Sequence, residues 1–378
     1  FLGLMSRFSL FGMEKDHSKC TDCNLCLVHC QGADSPQGGV KHRQDECHMC
    51  FNCEQACPED VIKFRFLPGL RSTTKKPDLE RRTVTLPEGA RVMYRTGGAV
   101  GGPPVVLLHG GGIDNGMLSW RDTIPVLVGA GLRVYVPDMP GYGDSPPDAR
   151  PSTMENLIGY LGGLMDAWQL DRATLMGISM GGAIAIGYTL AQPARVERLV
   201  LIGTYGIQDR APFHRLSYLF VRVPWLTRLS WALMRRSRAM ARYSLAQIVR
   251  NPRSRTEALV DEVLEALQDT SAQKAFGAFQ RDEIRWHGVK TSYVHRLSEI
   301  DVPVLMIHGS RDIGVAVRDA ERAAARLRNG RLEVIEGAGH WTQRDDPERV
   351  NRLLLDFLGA EDTSAAPEVE ARTQGVRP

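Results

Sequence analysis

"ATLMGISMGGAIAIGYTLAQ", residues 173–192, decides how this chain folds. Its first six residues are a short, almost wholly apolar run, the pattern of a buried strand. The stretch "MGGAIAIGYTLAQ" that follows reads as a helix. Between them "GISMG" (177–181) fits the pattern G-x-S-x-G. Three fixed positions in five are common, so the motif gains its weight from the strand before it and the helix after it. In that setting small glycines permit a strained turn that lifts the Ser179 hydroxyl above a sheet. A serine hydroxyl is a poor nucleophile until a base takes its proton.

Similar runs lie on both sides. They are "VVLLH" (105–109), "RVYVP" (133–137), "RLVLIG" (198–203), "VPVLMIHG" (302–309) and "LEVIEG" (332–337). From about 83 to 360 they alternate with helical stretches, which predicts an α/β fold: a doubly wound, mostly parallel sheet covered on both faces. Between 207 and 297 the alternation stops and a helical insertion is expected. The polar end 361–378 reads as a disordered tail.

The partners of Ser179 should follow in the order acid, then histidine. "HGSRDIG" (308–314) follows a strand and offers Asp312, and "EGAGHWTQ" (336–343) follows the last strand and offers His340. Asp312 would hold the imidazole in one tautomer. Asp209, at the start of the insertion, is the weaker competitor for the acid. "LLHGGG" (107–112) ends a strand in glycines, which let backbone N–H groups approach a ligand, so an oxyanion hole of the Gly111 and Met180 amides is expected. His109, Asp138 and Asp144 read as loop-shaping residues.

These features together resemble the α/β-hydrolase family over about 83–360, with 83–206 and 298–360 as the core and 207–297 as a helical cap. The HGGG run, the Ser-Met-Gly-Gly and the Trp after His340 are similar to meta-cleavage-product C–C hydrolases, although "HGGGIDNG" lacks the Pro-Gly-Ala usual there. The C-terminal "GHWTQRDDPERVNRLLLDFL" resembles epoxide hydrolases, but those need an aspartate where this chain has Ser179. Ester, thioester and C–C hydrolysis of a small carbonyl substrate remain open.

The other end of the chain is different. All eight cysteines fall between Cys20 and Cys57. A disulfide scaffold would be cross-linked throughout, so a local cluster favours metal ligation in a reducing compartment. "CTDCNLCLVHC" (20–30) and "CHMCFNCEQACP" (47–58) share one spacing and resemble the bacterial two-cluster ferredoxin family. That resemblance implies a small α+β iron–sulfur domain over 1–67 with two 4Fe–4S clusters. Cys20, Cys23, Cys26 and Cys57 would hold one, and Cys47, Cys50, Cys53 and Cys30 the other. It also implies one-electron transfer with an unnamed redox partner. Structural zinc is the competing use of such thiolates. Residues 68–82, rich in Pro, Ser, Thr and charge, read as a linker.

Two readings of the whole follow. One is a serine hydrolase fused to an electron-transfer module. The other is an electron-transfer protein whose larger domain is a scaffold or an uncoupled passenger. A net charge of +3 is too small to argue for nucleic acid. Cluster chemistry and the lack of a signal-cleavage pattern point to the cytoplasm, while the first residue, Phe1, leaves an upstream segment or anchor open. Residues 210–255 hold eleven arginines and no Asp, Glu or Lys. Solvated cap arginines, arginines that bind an acidic substrate group, and attachment to an anionic membrane are the three uses open to them.

Overall fold

The structure is a computed structural model that describes residues 79–359, together with the backbone of 11–15 and 62–66. The chain divides into two compact units, 1–76 and 77–378. In the first unit β1 (Phe11–Lys15) pairs antiparallel with β2 (Ile62–Phe66), with Lys15 opposite Ile62. All eight cysteines, the remainder of the expected α+β domain and the 361–378 tail lie outside the described residues.

The second unit is built on an eight-stranded sheet. Its strands are β3 (Glu80–Thr85), β4 (Arg91–Gly97), β5 (Pro104–Leu108), β6 (Arg133–Pro137), β7 (Ala173–Ile178), β8 (Val196–Ile202), β9 (Val304–Gly309) and β10 (Gly330–Ile335). They lie in the order β10-β9-β8-β7-β5-β6-β4-β3. Pairing is parallel from β10 through to β6, and β4 is antiparallel to both its neighbours. The mostly parallel sheet expected from the apolar runs is therefore present.

Two strands had no such signature. β3, "ERRTVT", starts inside the stretch read as linker. It is the sheet edge and exposed along nearly all its length, so burial puts no apolar run into its sequence. Charged residues also protect such an edge from pairing with other chains. β4 alternates buried and exposed residues, with one face on the core.

Alternation along the central strands divides the core in two. Val106, Leu108 and Leu175 join α3 (Met154–Ala167) and α4 (Met180–Ala191) on one face. Val105, Leu107, Met176 and Ile178 join α1 (Gly116–Trp120), α2 (Ile124–Gly129) and the last helix on the other. All six residues of β7 are buried, so each large side chain there contributes about 2 kcal/mol of burial.

Between β8 and β9 the insertion is helical as expected. It contains α5 (Arg215–Val221), α6 (Pro224–Arg236), α7 (Arg238–Ile248), α8 (Glu257–Ala266) and α9 (Thr270–Glu283). After β9 come α10 (Val317–Ala324), α11 (Thr342–Asp345) and α12 (Pro347–Leu358). Among the described residues no helix is long and apolar enough to cross a membrane.

Candidate active site

Ser179 lies between β7 and α4 with φ 51° and ψ −117°, a conformation that L side chains rarely adopt. Such strain costs about 1–3 kcal/mol and persists only where the surroundings hold it. Here both sides are pinned. The Ser179 N–H donates to the Ile202 carbonyl at 3.0 Å, and the Ser179 carbonyl accepts from the Tyr205 N–H at 3.0 Å. The flanking glycines are needed because the backbones nearly touch. A Cβ on Gly177 would lie 2.5 Å from Gly182 N, and one on Gly181 would lie 2.5 Å from the His109 carbonyl oxygen. The Ser179 side chain is partly exposed, and its hydroxyl makes no hydrogen bond among the described residues.

Asp312 follows β9 and His340 follows β10, so both reach the same end of the parallel strands as Ser179. His340 Nδ1 is 2.8 Å from Asp312 Oδ2. The carboxylate has no solvent exposure, and its other oxygen accepts from the Gly314 and Val315 amides at 2.7 and 3.0 Å. That arrangement leaves Nδ1 as the donor and Nε2 as the free base. Burial pulls the His340 pKa down, but the Asp312 charge, its hydrogen bond and the Asp114 charge outweigh it, and the net shift is upward. Burial pushes Asp312 up, but His340, then His308 and the Val315 amide, outweigh it, and it lies below the usual aspartate value.

The two halves of the site meet at one turn. Gly203 lies between the residues that anchor Ser179, and a Cβ there would sit 3.2 Å from both His340 Nδ1 and Asp312 Oδ2. Ser179 and His340 thus flank the same turn without a direct hydrogen bond in this structure. Such bonds often tighten only when substrate is bound. Asp209 is not part of the cluster. Its exposed carboxylate pairs with Arg322 at 3.0 Å.

His109 shapes the glycine loop as expected. Its Nε2 accepts from the Met139 N–H at 2.9 Å, so its Nδ1 donates to the Gly110 carbonyl at 2.7 Å. Asp138 accepts from the Gly116 and Asp144 amides, and Asp144 pairs with Arg95 at 2.6 Å; both stabilise turns. A Cβ on Gly110 would lie 3.5 Å from Ser179 Cβ, which places the loop beside the hydroxyl. Among the described residues the Gly111 N–H makes no hydrogen bond. Met180 opens α4, so its N–H has no carbonyl behind it in the helix.

Three residues of this site had no recognisable sequence signal. Asp114 is fully buried beneath the glycine loop and accepts from Gly110 N–H, Asn115 N–H and the Ser119 hydroxyl. The five-residue spacing from His109 fits no general motif. Phe276, on α9, covers Gly111: a Cβ there would lie 2.7 Å from its Cδ2. Gly111→Ala is therefore expected to cost about 1–3 kcal/mol of stability through overpacking, together with most of the activity. Adding Phe276→Ala should restore stability in urea titrations.

Glu283 ends the same helix and is buried. It accepts from the Tyr205 hydroxyl at 3.0 Å, the Thr291 N–H at 3.0 Å and the Thr291 hydroxyl at 2.9 Å. Since the Tyr205 amide holds Ser179, Glu283 ties the cap to the strained turn. Glu283→Ala leaves those groups without their acceptor and should destabilise the fold by about 3 kcal/mol in a urea titration.

A cavity of about 730 Å³ opens where the cap begins. Arg210, His214, Asp312 and Arg318 are among its lining residues. Ser179, His340 and Gly111 do not line it, so it is not the space above the hydroxyl.

The family model described as alpha/beta hydrolase fold matches residues 103–347, from β5 through the His340 loop. The chain belongs to that family. As an α/β hydrolase it is also similar to individual hydrolases. It is 30% identical over 298 residues to the 2-hydroxy-6-oxononadienedioate/2-hydroxy-6-oxononatrienedioate hydrolase of Cupriavidus pinatubonensis, covering 74% of this chain and 95% of that one. It is 30% identical over 264 residues to the 2-hydroxy-6-oxo-2,4-heptadienoate hydrolase of Pseudomonas putida, covering 69% and 91%. Among solved structures, a meta-cleavage product hydrolase of Pseudomonas fluorescens aligns with a TM-score of 0.62 at 27% identity, over 74% of this chain and 97% of that one. This α/β hydrolase is thus related to hydrolases of hydroxy-oxo-dienoates, and the shared stretch includes the cap.

Proposed function

We propose that the chain cleaves a C–C bond in a small acidic ketone of the hydroxy-oxo-dienoate class, through Ser179, His340 and Asp312. The observation that carries this is the hydrogen-bonded Asp312–His340 pair at the same turn as the strained Ser179, in a chain that resembles dienoate hydrolases. Ser179 Oγ attacks the ketone carbon while His340 Nε2 takes its proton. The oxygen that gains charge is held by the Gly111 and Met180 amides. Before the attack the 2-hydroxy-diene tautomerises: the 2-hydroxyl loses its proton and the carbon next to the ketone gains one, so that when the C–C bond breaks the departing electron pair is conjugated to the new α-oxo acid. His340 returns the proton to that carbon, and an acyl group remains on Ser179. Water, deprotonated by His340, then releases the carboxylic acid. Asp312 holds the ring and balances the imidazolium throughout.

The test offers a 2-hydroxy-6-oxo-dienoate and a p-nitrophenyl ester to the purified chain and follows the loss of dienoate absorbance beside nitrophenol release. A kcat/KM for the dienoate well above that for the ester supports C–C hydrolysis. The reverse order sinks it in favour of ester or thioester hydrolysis.

We further infer that the cysteine region holds two 4Fe–4S clusters, with the ligand sets that the resemblance to two-cluster ferredoxins implies. The β1–β2 register supports this. Lys15 pairs with Ile62, and Cys20 and Cys57 follow and precede that pair by five residues each, a chain length compatible with a common cluster. Such clusters supply one-electron transfer, which the hydrolytic cycle does not use. Iron and acid-labile sulfide analysis of anaerobically purified protein tests it. Zinc in place of iron and sulfide would refute it.

A further inference from the structure

We propose that the outer face of the cap docks on an anionic membrane surface. Helix α6 has no buried residue, although seven of its thirteen residues are apolar. Trp231 and Met234 pack against the core. Trp225, Leu229 and Leu233, at positions i, i+4 and i+8, form a second stripe with 66%, 48% and 48% of their surface exposed. On the adjoining α5, Leu216 and Leu219 are 68% and 51% exposed. A surface helix of a globular protein normally keeps its outward stripe polar, and apolar side chains exposed in this way mark an interaction surface.

The charge pattern selects the partner. Arg238 and Arg242 are engaged by Glu257 and Asp261 on α8, and Arg215 and Arg222 lie over the rings of Trp286 and Tyr218. Arg228, Arg235 and Arg236 on α6 have no partner among the described residues. They sit beside and at the end of the apolar stripe, in a segment without an acidic residue. Apolar side chains flanked by uncompensated cations, with a tryptophan among them, are the pattern of a helix that lies in a lipid interface. At thirteen residues α6 is about 20 Å long and would lie flat. A second copy fits less well. A two-fold contact would set arginine against arginine. Nucleic acid would match the arginines but leave the leucines facing phosphate.

The test is co-sedimentation of the full chain with vesicles of phosphatidylcholine alone and of phosphatidylcholine with phosphatidylserine. Binding is expected only to the anionic vesicles and should weaken as salt rises. Replacing Arg228, Arg235 and Arg236 together by Gln should weaken it on the order of 100-fold, about fivefold for each cation. Replacing Trp225, Leu229 and Leu233 together by Ser should abolish it, with soluble-substrate hydrolysis unchanged as the check on folding. Failure of the unaltered chain to bind, or equal binding to neutral vesicles, overturns the proposal. So does a dimer in solution that the serine variant dissociates, which would assign the face to a second copy.

Discussion

Ser179→Ala is expected to lower hydrolysis by about 10⁶-fold, the loss seen when the nucleophile of such a triad is removed. The fold should survive. The Ser179 hydroxyl makes no hydrogen bond among the described residues, and the anchors to Ile202 and Tyr205 are backbone bonds that alanine retains. Thermal unfolding should therefore match that of the unaltered chain while turnover vanishes. Ser179→Gly adds a second readout. Glycine adopts φ 51° without the Cβ penalty, so this variant should be equally inactive and more stable by about 1 kcal/mol. Turnover by Ser179→Ala at a rate near that of the unaltered chain would show that another group performs the attack.

Asp312→Asn is expected to lower kcat by about 10⁴-fold with little change in KM, because the ring loses its tautomer and its counter-charge. The pH profile separates this from a loss of folding. On the proposed mechanism His340 acts as the free base, so the rate should rise as pH passes its pKa. The net upward shift places that limb above the ordinary histidine value of 6.5. Without the Asp312 charge, burial dominates and the limb of the residual activity should move to lower pH. Stability should follow the same pair. The raised His340 pKa contributes stability that is full below about 6.5 and lost as pH rises through the folded value. The lowered Asp312 pKa contributes stability above the ordinary aspartate value, lost as pH falls through the folded one. The Asn variant should show a flatter stability profile between those limits. An unchanged rate limb would mean that His340 is not the titrating base.

What could be read without coordinates follows from burial. β5 to β9 lie inside the sheet and are largely buried, so each had to be an apolar run, and each was visible; β10, at one edge and only partly buried, showed its run as well. β3 was not, because an exposed edge strand needs no such run. The elbow, Asp312 and His340 were legible because each sits directly after a strand, where a short loop leaves little freedom of position. Asp114, Phe276 and Glu283 were not. Their roles depend on contacts across the fold, such as Glu283 reaching Tyr205 from 78 residues away, and no local pattern encodes those.

By itself, then, the amino-acid order determined the sheet, the helical insertion and the chemical types gathered at the strand ends, since periodicity and turn glycines are local properties. Only the tertiary structure decided that Asp312 rather than Asp209 faces His340, that an aromatic ring from the cap covers Gly111, and that the cap turns leucines outward. Choices of partner and of facing direction are made by packing, through distances between residues far apart in the chain.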